Sequence, residues 1–476
     1  MRGAVALFTA QPLTWAASLL TAILVPRYLG DQALGQYIVA VTIANLAGLV
    51  ASLGVPNYLR RHIATQPTRA AVDSAAAFVV LVTLALLIAS ALAAALPFLG
   101  FPAGEISLVL VALIGMVVTT AQTLALSVLV GQERHGRYAW LNAAVAVAGA
   151  VAGIGVLLVG GGVQAYLATG VAASAAVAVL AWRAAGLKIC RPALDLGLWQ
   201  RLARSGFPFL GWMLALQIYG EIDKLLLAML ANEAVVGWYA AAYRIISIPV
   251  FIPTLITTPL LPALSRHAAD RALFQQTVRR SLFAVLVLTV PTSAMSIGLA
   301  PAVPDLLHWP SAFQNSVPLM MILALHLPIV AVDMVLGTAL TALHRERYWF
   351  GIGAVASVVN PALNLLLIPY FEHSLNNGAI GAAIVTVATE LLMLGGALML
   401  VPRGLVDRSL VGLSGRVVVA GVCLAVVTAQ LLPLSLLLAV AGGGLAFVGV
   451  AAALHVLRPV DFRIIHHAAL QALARR

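Results

Sequence analysis

Seven ionisable side chains lie inside long apolar runs of this 476-residue chain: Glu221, Asp223, Lys224, Arg244, His326, Asp333 and Glu390. A charge in hydrocarbon is costly, so such groups are read first as functional. A buried carboxylate can take up Na⁺ or H⁺, and a buried cation can grip an anion. Glu221, Asp223, Asp333 and Glu390 are therefore candidate ion-coupling residues. Gln217, Glu221 and Lys224 stand at i, i+4 and i+7 and share one helical face, while Asp223 points about 200° away from Glu221. Asp223 and Arg244, at similar depth, are read as an interhelical pair, which is equally well purely structural. Asp333 sits about 24 Å from the start of its run, deeper than its fellow acids, and an inner gate is the other reading for it. His326 reads more simply as a packed, hydrogen-bonded histidine than as a ligand. Asn360 and Asn364 stand one turn apart around Pro361, where a kink frees backbone carbonyls. The first half of the chain offers neutral groups instead: Asn45, Thr119, Thr120, Gln122, Thr123 and Asn142.

The elements that must position these groups are membrane helices. The chain is 62% hydrophobic and 9% charged, with a mean hydropathy of +1.04. Its apolar runs reach the roughly 20 residues that cross a bilayer core. Fourteen helices are expected between Phe8 and Leu457, the first two over Phe8–Leu29 and Leu34–Val55. The predicted class is an all-α polytopic membrane protein. Of 27 Lys and Arg residues, 24 fall in alternate gaps between the runs, Arg60, Arg61, Arg69, Lys188, Arg191, Arg403, Arg458, Arg463, Arg475 and Arg476 among them. By the positive-inside bias those gaps and both termini face the cytoplasm. The net charge of +11 follows from that bias, so no nucleic-acid partner is implied. Cys190 and Cys423 are not expected to form a disulfide, and no spacing of metal ligands stands out. There is no nucleophile–base pair and no phosphate-binding glycine loop, so no enzyme and no cofactor are expected beyond a coupling Na⁺ or H⁺. The first run lacks a cleavage site and is read as a retained span.

Four segments follow: residues 1–182 with six helices, a linker over 183–205, residues 206–402 with six more, and residues 403–476 with two helices and a tail. In the linker, Leu196, Leu198, Trp199 and Leu202 alternate with Gln200, Arg201 and Arg204, as in an amphipathic surface helix or a simple connector. The two six-helix segments repeat. Gly35-Gln36-Tyr37 matches Gly237-Trp238-Tyr239, and Leu59-Arg60-Arg61-His62 matches Leu264-Ser265-Arg266-His267. Gln132-Glu133-Arg134 through Tyr138 matches His344-Arg345-Glu346-Arg347-Tyr348. The offsets run from 202 to 210, and an even helix number gives both halves one orientation.

Leu24-Val25-Pro26-Arg27-Tyr28-Leu29-Gly30-Asp31 followed by Gly35-Gln36-Tyr37, and Ile222-Asp223-Lys224-Leu225 followed by Val236-Gly237-Trp238-Tyr239, resemble the lobe openings of polysaccharide exporters. These are the lipid-linked oligosaccharide flippases of the O-antigen type, in the multidrug/oligosaccharidyl-lipid/polysaccharide exporter superfamily. The resemblance implies a V-shaped pair of lobes in a bacterial cytoplasmic membrane. It implies movement of an undecaprenyl-pyrophosphate-linked glycan to the outer leaflet, with membrane lipids and other polysaccharide-assembly proteins as partners. Pyrophosphate needs cations: Lys224 and Arg244 within the span, Arg60 and Arg61 at the cytoplasmic mouth. Topology and lipid contact are the plainer account of Arg60 and Arg61. Asn360 and Asn364 become a hinge or a sugar-contacting face, with helix–helix hydrogen bonding as the alternative. The lipid II branch carries charge inside its first helix, whereas here Phe8–Leu29 holds Gln11, Pro12, Thr14 and Ser18 but no charge before Arg27, a departure from that branch. A cation-coupled small-molecule exporter of the same fold is the second reading, and a membrane glycan polymerase or ligase the third.

Overall fold

The computed structural model describes residues 2–66, 70–99, 102–187, 196–402 and 404–456, and among them there are helices and turns but no strand. Arg69, Lys188, Cys190, Arg191, Arg403 and the tail from residue 457 lie outside the described residues, as does part of the expected linker. The chain divides into two compact units. One comprises Met1–Ala241 with Leu307–Phe313 and Asn360–Ala382, and the other Ala242–Leu306, Gln314–Val359 and Ala383–Arg476.

The first unit opens on α1 (Arg2–Ser52), a 51-residue element. At 1.5 Å per residue it would measure about 75 Å, more than twice a bilayer core. Gly30 breaks it with φ 75° and ψ 178°, a conformation open essentially to glycine alone. Gly30 thus separates two helices, at the boundary the sequence placed between Leu29 and Leu34. Pro26 cannot donate to the helix ladder, and nearby the indole of Trp309 donates to the Ile23 carbonyl at 2.8 Å. A left-handed pair, Leu53 and Gly54, then starts α2 (Val55–Thr65). It is followed by α3 (Ala70–Ala95), α4 (Ala103–Gly131), α5 (His135–Leu158), α6 (Val163–Ala184), α7 (Leu196–Leu230) and the first part of α8 (Glu233–Ser247).

The expected surface helix is thus continuous with α7, whose Leu202 is buried with Leu59, Ile63, Leu124 and Leu129 in one core. Two glycine pairs bring backbones together. A Cβ on Gly54 would stand 2.3 Å from the Gly206 carbonyl oxygen, and one on Gly206 2.3 Å from that of Leu53. A Cβ on Gly35 would stand 1.7 Å from the Glu233 carbonyl oxygen, and one on Gly237 2.1 Å from that of Asp31. Trp238 Nε1 secures the second crossing by donating to Asp31 Oδ2 at 2.9 Å.

The second unit takes in α9 (Phe251–His267), α10 (Arg271–Leu299), α11 (Val303–Leu306), α12 (Val317–Ala324) and α13 (His326–Ala342). It also holds the first half of α14 (Glu346–Leu375), most of α15 (Ala379–Leu400), α16 (Arg408–Leu431) and α17 (Leu436–Ala453). α12 and α13 are one expected helix interrupted at Leu325. Pro328 has no N–H for the Ala324 carbonyl, and Ser293 Oγ donates to it instead at 2.6 Å. Val278, Leu336, Ala339 and Leu340 centre its core, and small residues seat α16 and α17.

Twelve of the described helices are long and apolar enough to cross a membrane. Residues 9–52 enter that number as one stretch although Gly30 divides them into two helices, and α7 is not among the twelve, its apolar run being diluted by Gln217, Glu221, Asp223 and Lys224. Leu87, Ile114, Met399 and Leu445 are more than half exposed, as lipid-facing side chains are.

Candidate functional site

The first unit holds a polar cavity of about 350 Å³, in the size range of ligand pockets. α1 supplies Asn45 and Ser52, α2 supplies Asn57 and Arg60, α4 supplies Thr119, Thr120 and Thr123, and α7 supplies Met213 and Gln217. The backbone contact of Gly54 with Gly206 is what lets α7 reach this wall. Asn57 Nδ2 lies 2.9 Å from Met213 Sδ across it. Arg60 is the one charged residue among those that line the cavity. Its Nε donates to the buried Ser127 Oγ at 3.3 Å, which leaves the rest of the guanidinium fork for an anion.

α2 is held from its other side. His62 Nε2 pairs with Asp73 Oδ2 of α3 at 2.9 Å, and Tyr58 stacks on the His62 ring with its hydroxyl 3.3 Å from Nδ1. Tyr58, Asp73 and Asn57 were not singled out from sequence, and His62 entered only through the repeat Leu59-Arg60-Arg61-His62. Their only signal is that Asn57, Arg60 and Arg61 fall on one short amphipathic stretch. Arg61 is exposed, away from the cavity wall that Arg60 occupies.

On α7, Lys224 Nζ meets Glu221 Oε2 at 2.6 Å, so the face shared by these two residues is real and their charges cancel. Asp223, on the opposite face, is buried, with 4% exposed. The buried Tyr239 donates its hydroxyl to Asp223 Oδ2, and the Lys224 backbone N–H donates to Oδ1 at 2.9 Å. Tyr239 is a partner that sequence reasoning missed, although it belongs to the repeat motif. Arg244 is half-buried in α8 and belongs to the second unit.

In the second unit His326 Nε2 stands 3.2 Å from Glu390 Oε1. Asp333 comes within hydrogen-bonding reach of the same Glu390. Asp333 is 2% and Glu390 5% exposed, and no donor reaches either oxygen of Asp333. The separate depths expected for these acids are therefore one site, joined by the packed histidine. On α14, Asn364 Nδ2 donates to Asn360 Oδ1 at 2.9 Å, and both are buried in the first unit. The structure thus brings together Arg60 with the neutral groups of α1, α4 and α7, Glu221 with Lys224, and Asp333 with Glu390 and His326. It does not place Lys224, Asn360 or Asn364 on the wall of the Arg60 cavity. Among the described residues no cluster of His, Cys, Asp and Glu has the makings of a metal site.

Comparison with known proteins fits this architecture. The chain is 28% identical over 188 residues to the Probable flippase AglR of Haloferax volcanii, a match that spans only 38% of each chain. Its fold is similar to that of the lipid II flippase MurJ in an inward closed conformation, with a TM-score of 0.75 and 14% identity over 95% of this chain and 98% of that one. It is similar also to an inward-facing MATE-family multidrug resistance transporter of the MOP superfamily, with a TM-score of 0.62 and 13% identity over 83% of this chain and 93% of the other. At such identities the likeness is one of fold. Residues 1–268 match the family model described as Polysaccharide biosynthesis protein, more than half of the sequence, and the chain belongs to that family.

Proposed function

We propose that this multi-pass membrane protein is a flippase that carries a lipid-linked oligosaccharide across the bilayer. The observation that carries the reading is Arg60: a single cation in a cavity otherwise lined by amides, hydroxyls and small apolar groups. That pairing suits an anionic linkage joined to a sugar. The family and the flippase name of the relative support it. In this reading the carrier is undecaprenyl pyrophosphate, both termini face the cytoplasm of a bacterial inner membrane, and the glycan is delivered to other polysaccharide-assembly proteins. Transport is coupled to an ion at His326, Asp333 and Glu390. Two facing carboxyl groups with no donor for Asp333 are satisfied by one shared proton, so H⁺ is preferred to Na⁺. Glu221 and Asp223 act on Lys224 and Tyr239 and position α7.

The test uses proteoliposomes loaded with a fluorescent undecaprenyl-pyrophosphate glycan and an impermeant quencher added outside. Wild-type protein changes the quenchable fraction, and Arg60→Gln slows that change by about ten- to a hundredfold, as expected for one charge-assisted hydrogen bond. Equal rates in empty and protein-bearing vesicles would refute the flippase reading.

A further inference from the structure

The polar cavity does not end at Asn45. Ala44, Asn45 and Thr119 also line a second cavity of about 300 Å³ within the first unit, set among α1, α4, α5 and α6. One wall is Tyr37 and Tyr166, whose rings meet edge to face with centroids 5.3 Å apart. Gly149 of α5 and Gly170 of α6 line it as well. A glycine inside a helix costs about 1 kcal/mol relative to alanine. In membrane helices that cost is commonly offset by close packing at the missing Cβ. Gly153, also on α5, works that way, because a Cβ there would stand 2.6 Å from the Tyr166 ring. Gly149 and Gly170 do not. A Cβ at either would meet nothing within 4 Å, so neither glycine lets another helix approach. They keep space open.

We propose that this second cavity is a sugar subsite. Arg60 holds the anionic linkage, and the first sugar, an uncharged pyranose, enters the glycine-floored pocket with its ring against Tyr37 and Tyr166. Asn45 and Thr119, at the join, meet its hydroxyl or N-acetyl groups. A carboxylated sugar would bring a charge into a pocket whose lining carries none, and buried charges need partners. The inference rests on the flippase reading and extends it to the class of sugar.

Three probes test it on the purified full-length chain in nanodiscs: farnesyl pyrophosphate, the same carrier bearing N-acetylglucosamine, and the carrier bearing glucuronic acid. The wild type binds the N-acetylglucosamine probe about tenfold more tightly than the bare carrier, a gain of about 1.4 kcal/mol. The glucuronic acid probe shows no such gain. Gly149→Val and Gly170→Val fill the pocket from two different helices. Each abolishes the tenfold gain and leaves bare-carrier binding unchanged. Gly155→Val, at an exposed α5 position outside the lining, changes neither. If one filled variant does not fold, the other decides. Wild-type binding of bare and N-acetylglucosamine probes with equal affinity, or filled variants that keep the gain, would overturn the subsite alone. Equal affinity for the two sugars would overturn its preference for a neutral ring. A wild type that binds none of the three would overturn the flippase reading with it.

Discussion

Lys224 and Glu221 spend their charges on each other at 2.6 Å, with side chains 12% and 29% exposed. Removing one partner leaves the other partly buried without compensation, at a cost of about 1–3 kcal/mol. Lys224→Met is expected to lower the melting temperature measured in detergent, and Glu221→Met/Lys224→Met to recover most of the loss. A double variant no more stable than the single would contradict the pairing. Asp333 gives the opposite expectation. An amide at this position supplies the donor that Glu390 otherwise lacks from it, so Asp333→Asn should keep or raise the melting temperature. The same variant should transport at a rate that no longer responds to an imposed pH gradient. Retention of that response would move the coupling elsewhere. The α7 face was legible in the sequence because i, i+4 and i+7 spacing is a property of one helix. The acid pair was not, since Asp333 and Glu390 are 57 positions apart and no periodicity links them.

Among the elements, α2 is where sequence and structure diverge most. The expectation ended a helix at Val55, yet Leu53 and Gly54 turn the chain there and an 11-residue helix follows. Arg60 reaches the cavity because that helix is pinned by His62 to Asp73. His62→Ala should therefore weaken Arg60-dependent binding of farnesyl pyrophosphate by a few-fold while leaving the fold intact, and His62→Lys, which can still pair with Asp73, should restore part of it. An unchanged affinity in His62→Ala would show that α2 needs no such anchor. Apolar length made the helices legible. Their joints were hidden, because each depends on a distant partner: Ser293 capping Ala324 where Pro328 interrupts the ladder, Gly206 admitting the turn at Gly54. Gly30→Ala would force a side chain into a glycine-only conformation and cost about 1–3 kcal/mol, visible as reduced yield and melting temperature.

For the whole molecule, the arginine pattern predicts an orientation that labelling can check. In a chain freed of Cys190 and Cys423, single cysteines at Pro310 and Asn376 should react with an impermeant thiol reagent from outside, and one at Arg134 only from inside. Reaction of all three from one side would overturn the map. The reciprocal glycines carry a consequence for ancestry. Gly35 meets Glu233, and Gly237 meets Asp31; the offset of 202 that relates Gly35 to Gly237 also relates Asp31 to Glu233. Position i touching j while j's counterpart touches i's is the signature of an isologous contact, the kind two identical subunits make about a twofold axis. A half-length forebear with an aspartate or glutamate four residues before such a glycine already had what it needed to dimerise with itself. The shared offset is what joining two such self-fitting chains end to end would leave behind.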